Sequence, residues 1–226
     1  LSREIKPTHA AFSAEVYPLP PRLIRQAAQV LAEAFFDDPL MVHYLPDPQK
    51  RRAFLPGVLG VYTRIAMRHG LPLATPGLEG VALWMPPGQT ETSLWDYFLA
   101  SLGMLDLRFV IMAWRRLREI EPFVERLHHE CLPQPHWYLA VLGVHPGAQN
   151  RGVGGRLIAA GLERADRDSL PCYLETMSEE NVAFYQKRGF QVARQVTLPG
   201  TTLPLWAMVR PPIPSAPTEQ APDRAG

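Results

Sequence analysis

The segment "HPGAQNRGVGGRL" over 145–157 lies between an apolar run and an amphipathic helical pattern. Its glycines let the main chain approach a ligand closely, because no Cβ stands in the way, and the free amides at a helix start converge on an anion. The chemistry this suggests is phosphate binding, and spacing separates three forms of it. The nucleoside-triphosphate loop needs a lysine and a hydroxyl after its last glycine, whereas Gly155 is followed by Arg156 and Leu157. The dinucleotide pattern G-x-G-x-x-G is met by Gly152 and Gly154 but finds Leu157 at its third glycine. Residues 145–151 also intervene between the apolar run and Gly152, although Glu175 stands at a suitable distance for a ribose acceptor, so a nicotinamide-dependent oxidoreductase is kept as a rival. A third form, Q/R-x-x-G-x-G/A, is satisfied at every specified position by Gln149, Gly152 and Gly154.

Further along, Asn181 and Tyr185 are four apart and share a helix face. Glu175 ends a short apolar run, with Tyr138 and His145 as other groups able to move a proton. His128, His129 and Cys131 invite a metal reading, but adjacent histidines diverge on a helix and no second pair matches them, so no metal site is expected. Cys172 reads as a small core residue. Trp84, Trp95, Tyr97, Phe98 and Trp114 either line an acceptor pocket or fill a core.

The elements that position these residues follow from periodicity. Leu23, Ala27, Val30, Leu31, Ala34 and Phe35 predict one helix face over 21–38, closed by Pro39. Phe54, Val58, Val61, Tyr62, Ile65 and His69 predict a second helix, with Gly70 as its stop. "LPLA" and "VALWM" flank the turn-rich "TPGLEG" as a hairpin, and about 91–131 reads as a helical insertion. "HWYLAVLGV" at 136–144 predicts a central strand, in which Gly143 signals a bulge or a close backbone approach. Gly154, Leu157, Ile158, Gly161, Leu162 and Ala165 mark the buried face of the helix after the glycines. "PCYLETM" reads as a strand, and "SEENVAFYQKRGF" as a helix capped by Ser178 and stopped at Gly189, with Phe190 folding back toward Tyr185. "QVARQVTL" and "LPLWAMV" form a closing hairpin, and the proline-rich 210–226 reads as a flexible tail after a single domain over 1–209.

The 226 residues carry 23 Lys and Arg against 22 Asp and Glu, a net charge of +1, which provides no electrostatic footprint for nucleic acid or an anionic membrane. Two cysteines build no disulfide scaffold, and no apolar stretch is long enough to span a bilayer. A cytoplasmic protein is expected, and the preference for arginine over lysine points to a bacterial, GC-rich coding sequence. A monomer or homodimer is the expected state.

From Trp137 to about Val209 the chain resembles the GNAT N-acetyltransferases, and within them the puromycin N-acetyltransferase group. The resemblance rests on "GVHPGAQNRGVGGRL", the helix that follows, "LET" at 174–176 and "NVAFYQKRGF" at 181–190. It is looser over "GVALWMPP" and the first helix with its "DDPL" ending. It implies an α/β GNAT fold: a mixed, splayed central sheet flanked by helices. Acetyl-CoA is the implied cosubstrate and a small-molecule primary amine, such as an aminonucleoside, the implied acceptor; a protein or polyamine amine is the alternative, as is a non-catalytic acyl-CoA-binding module. By resemblance, Gln149, Asn150, Arg151, Gly152, Val153, Gly154, Gly155 and Arg156 cradle the pyrophosphate, Leu142, Gly143 and Val144 run beside the pantetheine arm, and Asn181 contacts the coenzyme. Tyr185 is then the general acid for the leaving thiolate. Glu175 is the leading candidate for the base.

Overall fold

The computed structural model describes residues 15–90, 94–101 and 120–213. The elements in chain order are β1 (Tyr17–Pro18), a 3-10 turn (Pro21–Leu23), α1 (Ile24–Ala34), α2 (Pro39–Tyr44), α3 (Pro48–His69), β2 (Leu71–Ala74), β3 (Gly80–Met85) and α4 (Leu94–Ser101). Then come α5, helical over 120–131, β4 (Trp137–Val144), a 3-10 turn (Pro146–Ala148), α6 (Val153–Arg167), β5 (Cys172–Thr176), α7 (Glu179–Gln186), β6 (Gln191–Thr197) and β7 (Pro204–Arg210).

The strands form one seven-stranded sheet in the order β1-β2-β3-β4-β5-β7-β6. It is mixed: β4 and β5 are parallel and the other pairs antiparallel. The β4–β5 ladder spans only Trp137↔Cys172 and Tyr138↔Tyr173. Beyond Tyr138 the two strands diverge, and β4 presents toward β5 a backbone edge that β5 does not pair. This is the expected splay, and it lies at the centre of the sheet.

The second ladder of β4 sets which side chains face which layer. Val141 pairs with Leu83 but Leu139 with Trp84, so Ala140 is the extra residue of a bulge. One inserted residue reverses the alternation. Before it, Trp137 and Leu139 pack in the cluster built on α6; after it, Leu142 and Val144 do, while Tyr138, Ala140 and Val141 pack with α1 and α3. The bulge is thus at Ala140 and not at Gly143, which pairs with Val81 in register. Gly143 answers to the other half of its expectation, close approach: a Cβ there would sit 2.6 Å from Leu31 Cδ2 and 3.1 Å from the Ala34 Cβ of α1.

Asp47 caps α3 through the amides of Gln49 and Lys50. Of the predicted face of that helix Val61 and Ile65 are buried, together with Leu55, Leu59 and Ala66, while Val58 and Tyr62 are half-buried and line a cavity that Leu59, Ile65 and Ala66 also reach. α2 was not expected at all. Asp38, expected to lie inside the first helix, instead accepts from the amides of Leu40 and Met41, and Pro39 opens a new helix in place of closing the old one. Ser178 precedes α7, but its side chain makes no cap bond. β7 runs through Arg210, whose buried guanidinium pairs in a fork with Asp166 at 2.7 and 2.8 Å, and Asp166 also accepts from the amide of Ile213. The first part of the predicted tail is therefore fastened to α6; residues 214–226 lie outside the described residues.

Candidate active site

The turn after β4 is held by its own hydrogen bonds, with the amides of Ala148 and Gln149 donating to the carbonyls of His145 and Pro146. His145 Nδ1 accepts from the Gly147 amide, and Gln149 Nε2 donates back to the Val144 carbonyl. Asn150 (φ 59°) and Gly152 (φ 79°) adopt left-handed backbone, the second as the residue before α6. The first helical bond is Arg156 N–H to the Gly152 carbonyl at 3.1 Å, and no side chain caps the helix. The amides of Val153, Gly154 and Gly155 therefore have no intrahelical acceptor, which suits a phosphate group. Gly154 and Gly155 also let α7 approach: their missing Cβ atoms would meet the Phe184 ring at 3.4 Å and Arg188 Nη2 at 2.8 Å. Arg188 lies over Phe184, 3.6 Å from the ring centroid, and brings a fixed cation beside the free amides. Sequence reading passed over Arg188, and only its place directly after the helix end could have flagged it. Arg156 is engaged elsewhere, with Glu15 at 2.9 Å and the Arg151 carbonyl at 3.4 Å.

A cavity of about 1000 Å³ opens on the other side of the splay. Its wall takes Phe35, Met41 and Tyr62 from the N-terminal helices, Tyr97 from α4, Glu121 and His128 from α5, Tyr138 to Leu142 from β4, and Glu175, Asn181 and Tyr185. The structure so brings together Glu175, Tyr185, Asn181 and Leu142. Gly143, Val144 and residues 149–156 are not on this wall; they lie at the far end of β4 and the start of α6.

Glu175 sits two residues past the end of the β4–β5 ladder, on the diverging part of β5. Strand alternation points it, with Tyr173, away from the α6 layer. Burial lifts its carboxyl to about 7, against an opposing pull from the Tyr138 and Tyr173 hydroxyls. Neither hydroxyl reaches Oε1 in hydrogen-bonding geometry, and Oε1 and the Tyr173 hydroxyl are both buried without a partner among the described residues. Tyr185 is buried between Phe184 and Phe190, edge-on to each, with centroids 5.2 and 5.9 Å away. Burial raises its hydroxyl well above the ordinary range, partly offset by Arg188. It remains protonated near neutrality and can donate a proton but not take one.

His145, the alternative base, points elsewhere and binds Glu33 at 2.7 Å. Of the two candidate pocket aromatics with described side chains, Tyr97 is on the wall and Trp84 is not. Trp84 is fully buried in the core below α6, where a Cβ on Gly161 would overlap its indole. The side chains of Trp95 and Phe98, and all of Trp114, lie outside the described residues. Cys172 is a buried free thiol, pushed up to about 12 by burial. His128 converges not with His129 or Cys131 but with His136, which no local spacing could reveal.

The family model for the acetyltransferase (GNAT) family matches residues 106–190. An uncharacterized N-acetyltransferase of Schizosaccharomyces pombe is 30% identical over 208 residues, covering 87% of this chain and 83% of the relative. Among solved structures, one from Corynebacterium glutamicum, described as histone acetyltransferase HPA2 and related acetyltransferase, superposes with a TM-score of 0.63 at 25% identity over 90% of this chain and 98% of that one. A putative arylalkylamine N-acetyltransferase 7 of the mosquito Aedes aegypti shares the fold with a TM-score of 0.61 at 14% identity, over 87% and 86% of the two chains. The chain belongs to the GNAT family of acetyltransferases, and it is an acetyl-CoA-dependent N-acetyltransferase.

Proposed function

We propose that this protein acetylates the primary amine of a small molecule held in the cavity, by direct attack within a ternary complex. Glu175 carries the reading: a half-buried residue whose carboxyl is pushed up to about 7 by burial, with Oε1 unpartnered among the described residues, at the junction of the splay and the cavity. An alkylammonium has a pKa near 10 and must lose a proton before its nitrogen can attack. A carboxylate that titrates near 7 takes that proton far better than an ordinary one titrating near 4.5.

Acetyl-CoA supplies the acyl group as a thioester. The amides of 153–155, which have no acceptor among the described residues, with Gln149 to Gly152 leading into them and Arg188 alongside, fit its pyrophosphate. The unpaired edge of β4 at Leu142 to Val144 fits the pantetheine arm, and its amides can stabilise the oxyanion that forms as the amine attacks. Asn181 and Tyr185, on one face of α7, meet that arm where it reaches the cavity. Tyr185 then donates its proton to the departing thiolate.

Thiol release from acetyl-CoA with puromycin, a polyamine and a short peptide as acceptors tests the reading. Turnover with a small-molecule amine supports it. Turnover only with the peptide transfers the activity to protein amines, and coenzyme binding without turnover on any amine favours the binding-module alternative.

A further inference from the structure

The cavity wall holds a pair of histidines that the proposed mechanism does not use. His128 Nε2 and His136 Nε2 are 2.6 Å apart, and His136 Nδ1 is 2.6 Å from the Gln134 carbonyl oxygen. His128 lies flat on Tyr173, with ring centroids 3.8 Å apart and planes 8° from parallel, and its ring is 4.8 Å from that of Tyr138. Both tyrosine hydroxyls bear on Glu175.

This chain of contacts fixes the protons. A carbonyl oxygen can only accept, so His136 Nδ1 carries the hydrogen. In a neutral imidazole the second nitrogen is then a bare acceptor, so His136 Nε2 accepts and His128 Nε2 must donate. That leaves His128 Nδ1 as an unprotonated lone pair. Burial pushes both rings below their ordinary pKa, His128 to about 3, so both stay neutral near pH 7 and the order of protons persists. Nδ1 is not among the buried atoms without partners, and no hydrogen bond is made to it by the described residues. It is an acceptor without a partner among the described residues, on a ring that lines the chamber where the amine is placed.

We propose that His128 is a specificity-determining residue whose Nδ1 accepts a hydrogen bond from a hydroxyl or N–H group on the body of the acceptor amine. The proposal rests on the cavity being the acceptor chamber. His136 is the positioning residue that keeps Nδ1 bare, and Tyr173 holds the ring plane. The acceptor class is a primary amine whose nonreacting part bears a hydrogen-bond donor, as opposed to a plain hydrocarbon.

Two measurements test this. Nitrogen-15 NMR of the histidine rings in the free protein should show His128 protonated at Nε2 and His136 at Nδ1; the reverse order overturns the proposal. Thiol release is then compared for tyramine, 2-amino-1-phenylethanol and phenethylamine, which offer a hydroxyl far from the amine, near it, or not at all. At least one hydroxylated amine should exceed phenethylamine in kcat/KM by about 3- to 10-fold, the worth of one neutral hydrogen bond. In His128→Phe that ratio should fall to about one, and in His128→Asn, whose Oδ1 stands in for Nδ1, it should persist. A merely structural role would lower all three rates in parallel and leave the ratio intact, which overturns the proposal. Wild-type protein that turns over phenethylamine without preference also overturns it while leaving the acetyltransferase reading in place, and failure to bind acetyl-CoA overturns that reading itself.

Discussion

Replacing Glu175 with glutamine should make the protein slower and, at alkaline pH, more stable. The carboxyl rises from 4.5 to about 7 because burial disfavours its charged form. Between those two values the folded protein holds a proton that the unfolded chain has lost. Stability from this group therefore declines as pH rises from about 4.5 to about 7, and the ionised carboxylate above that costs up to about 3 kcal/mol. Glutamine removes the charge and retains the shape, so Glu175→Gln should gain most of that at pH 8 and little at pH 4.5. For a chain of this size the gain is about 6 to 12 °C in Tm. Loss of the base should lower kcat about 10²- to 10⁴-fold, with acetyl-CoA affinity retained. Thermal unfolding at pH 4.5 and 8, alongside steady-state thiol release, reads both effects. A variant no more stable than wild type at pH 8 refutes the argument from burial, and one whose kcat falls by less than about threefold refutes the assignment of Glu175 as the base.

Tyr185→Phe should lower kcat about 100-fold with the Michaelis constant for acetyl-CoA nearly unchanged; unaltered turnover would remove the tyrosine from the mechanism. Gly152→Ala places a Cβ on left-handed backbone (φ 79°), costing about 1–2 kcal/mol and weakening acetyl-CoA binding, as titration calorimetry would show. Gly161→Ala should also destabilise, by about 1–3 kcal/mol, through its overlap with Trp84, yet leave coenzyme affinity of the folded protein intact. At Asp166, burial pushes the carboxyl up but the Arg210 fork and the Ile213 amide outweigh it, for a net lowering. Its contribution should therefore be present above about pH 4 and fade as pH falls further, and Asp166→Ala should cost about 3–5 kcal/mol in urea unfolding at pH 7 by leaving Arg210 buried and unpaired.

Local patterns carried the second half of the chain well. The buried face of α6 at Leu157, Ile158, Gly161, Leu162 and Ala165 is legible because one helix there meets one layer. The stop at Gly189 is legible too, its φ of 87° being a position that favours glycine. The N-terminal half misleads because α3 serves two surroundings: Leu55 and Val61 pack in the core, while Val58, Leu59, Tyr62 and Ile65 line the cavity, so its apolar residues encircle the helix. Asp38 and Pro39 carry the signal of a helix start as clearly as that of a stop, and only the fold decides between them. The bulge at Ala140 depends on register against β3. Arg188 and the His128–His136 pair depend on contacts between separate elements, which no spacing along the chain encodes.

The central claim is that the splay beside the glycine loop holds acetyl-CoA. It is met most directly by thermal unfolding with acetyl-CoA and, separately, with NAD. A ligand at about 100 times its Kd adds about 2.7 kcal/mol, or about 5 to 10 °C for a chain of this length. A rise of that size with acetyl-CoA and none with NAD is the predicted result. No rise with saturating acetyl-CoA, or a rise with NAD in its place, would contradict the account.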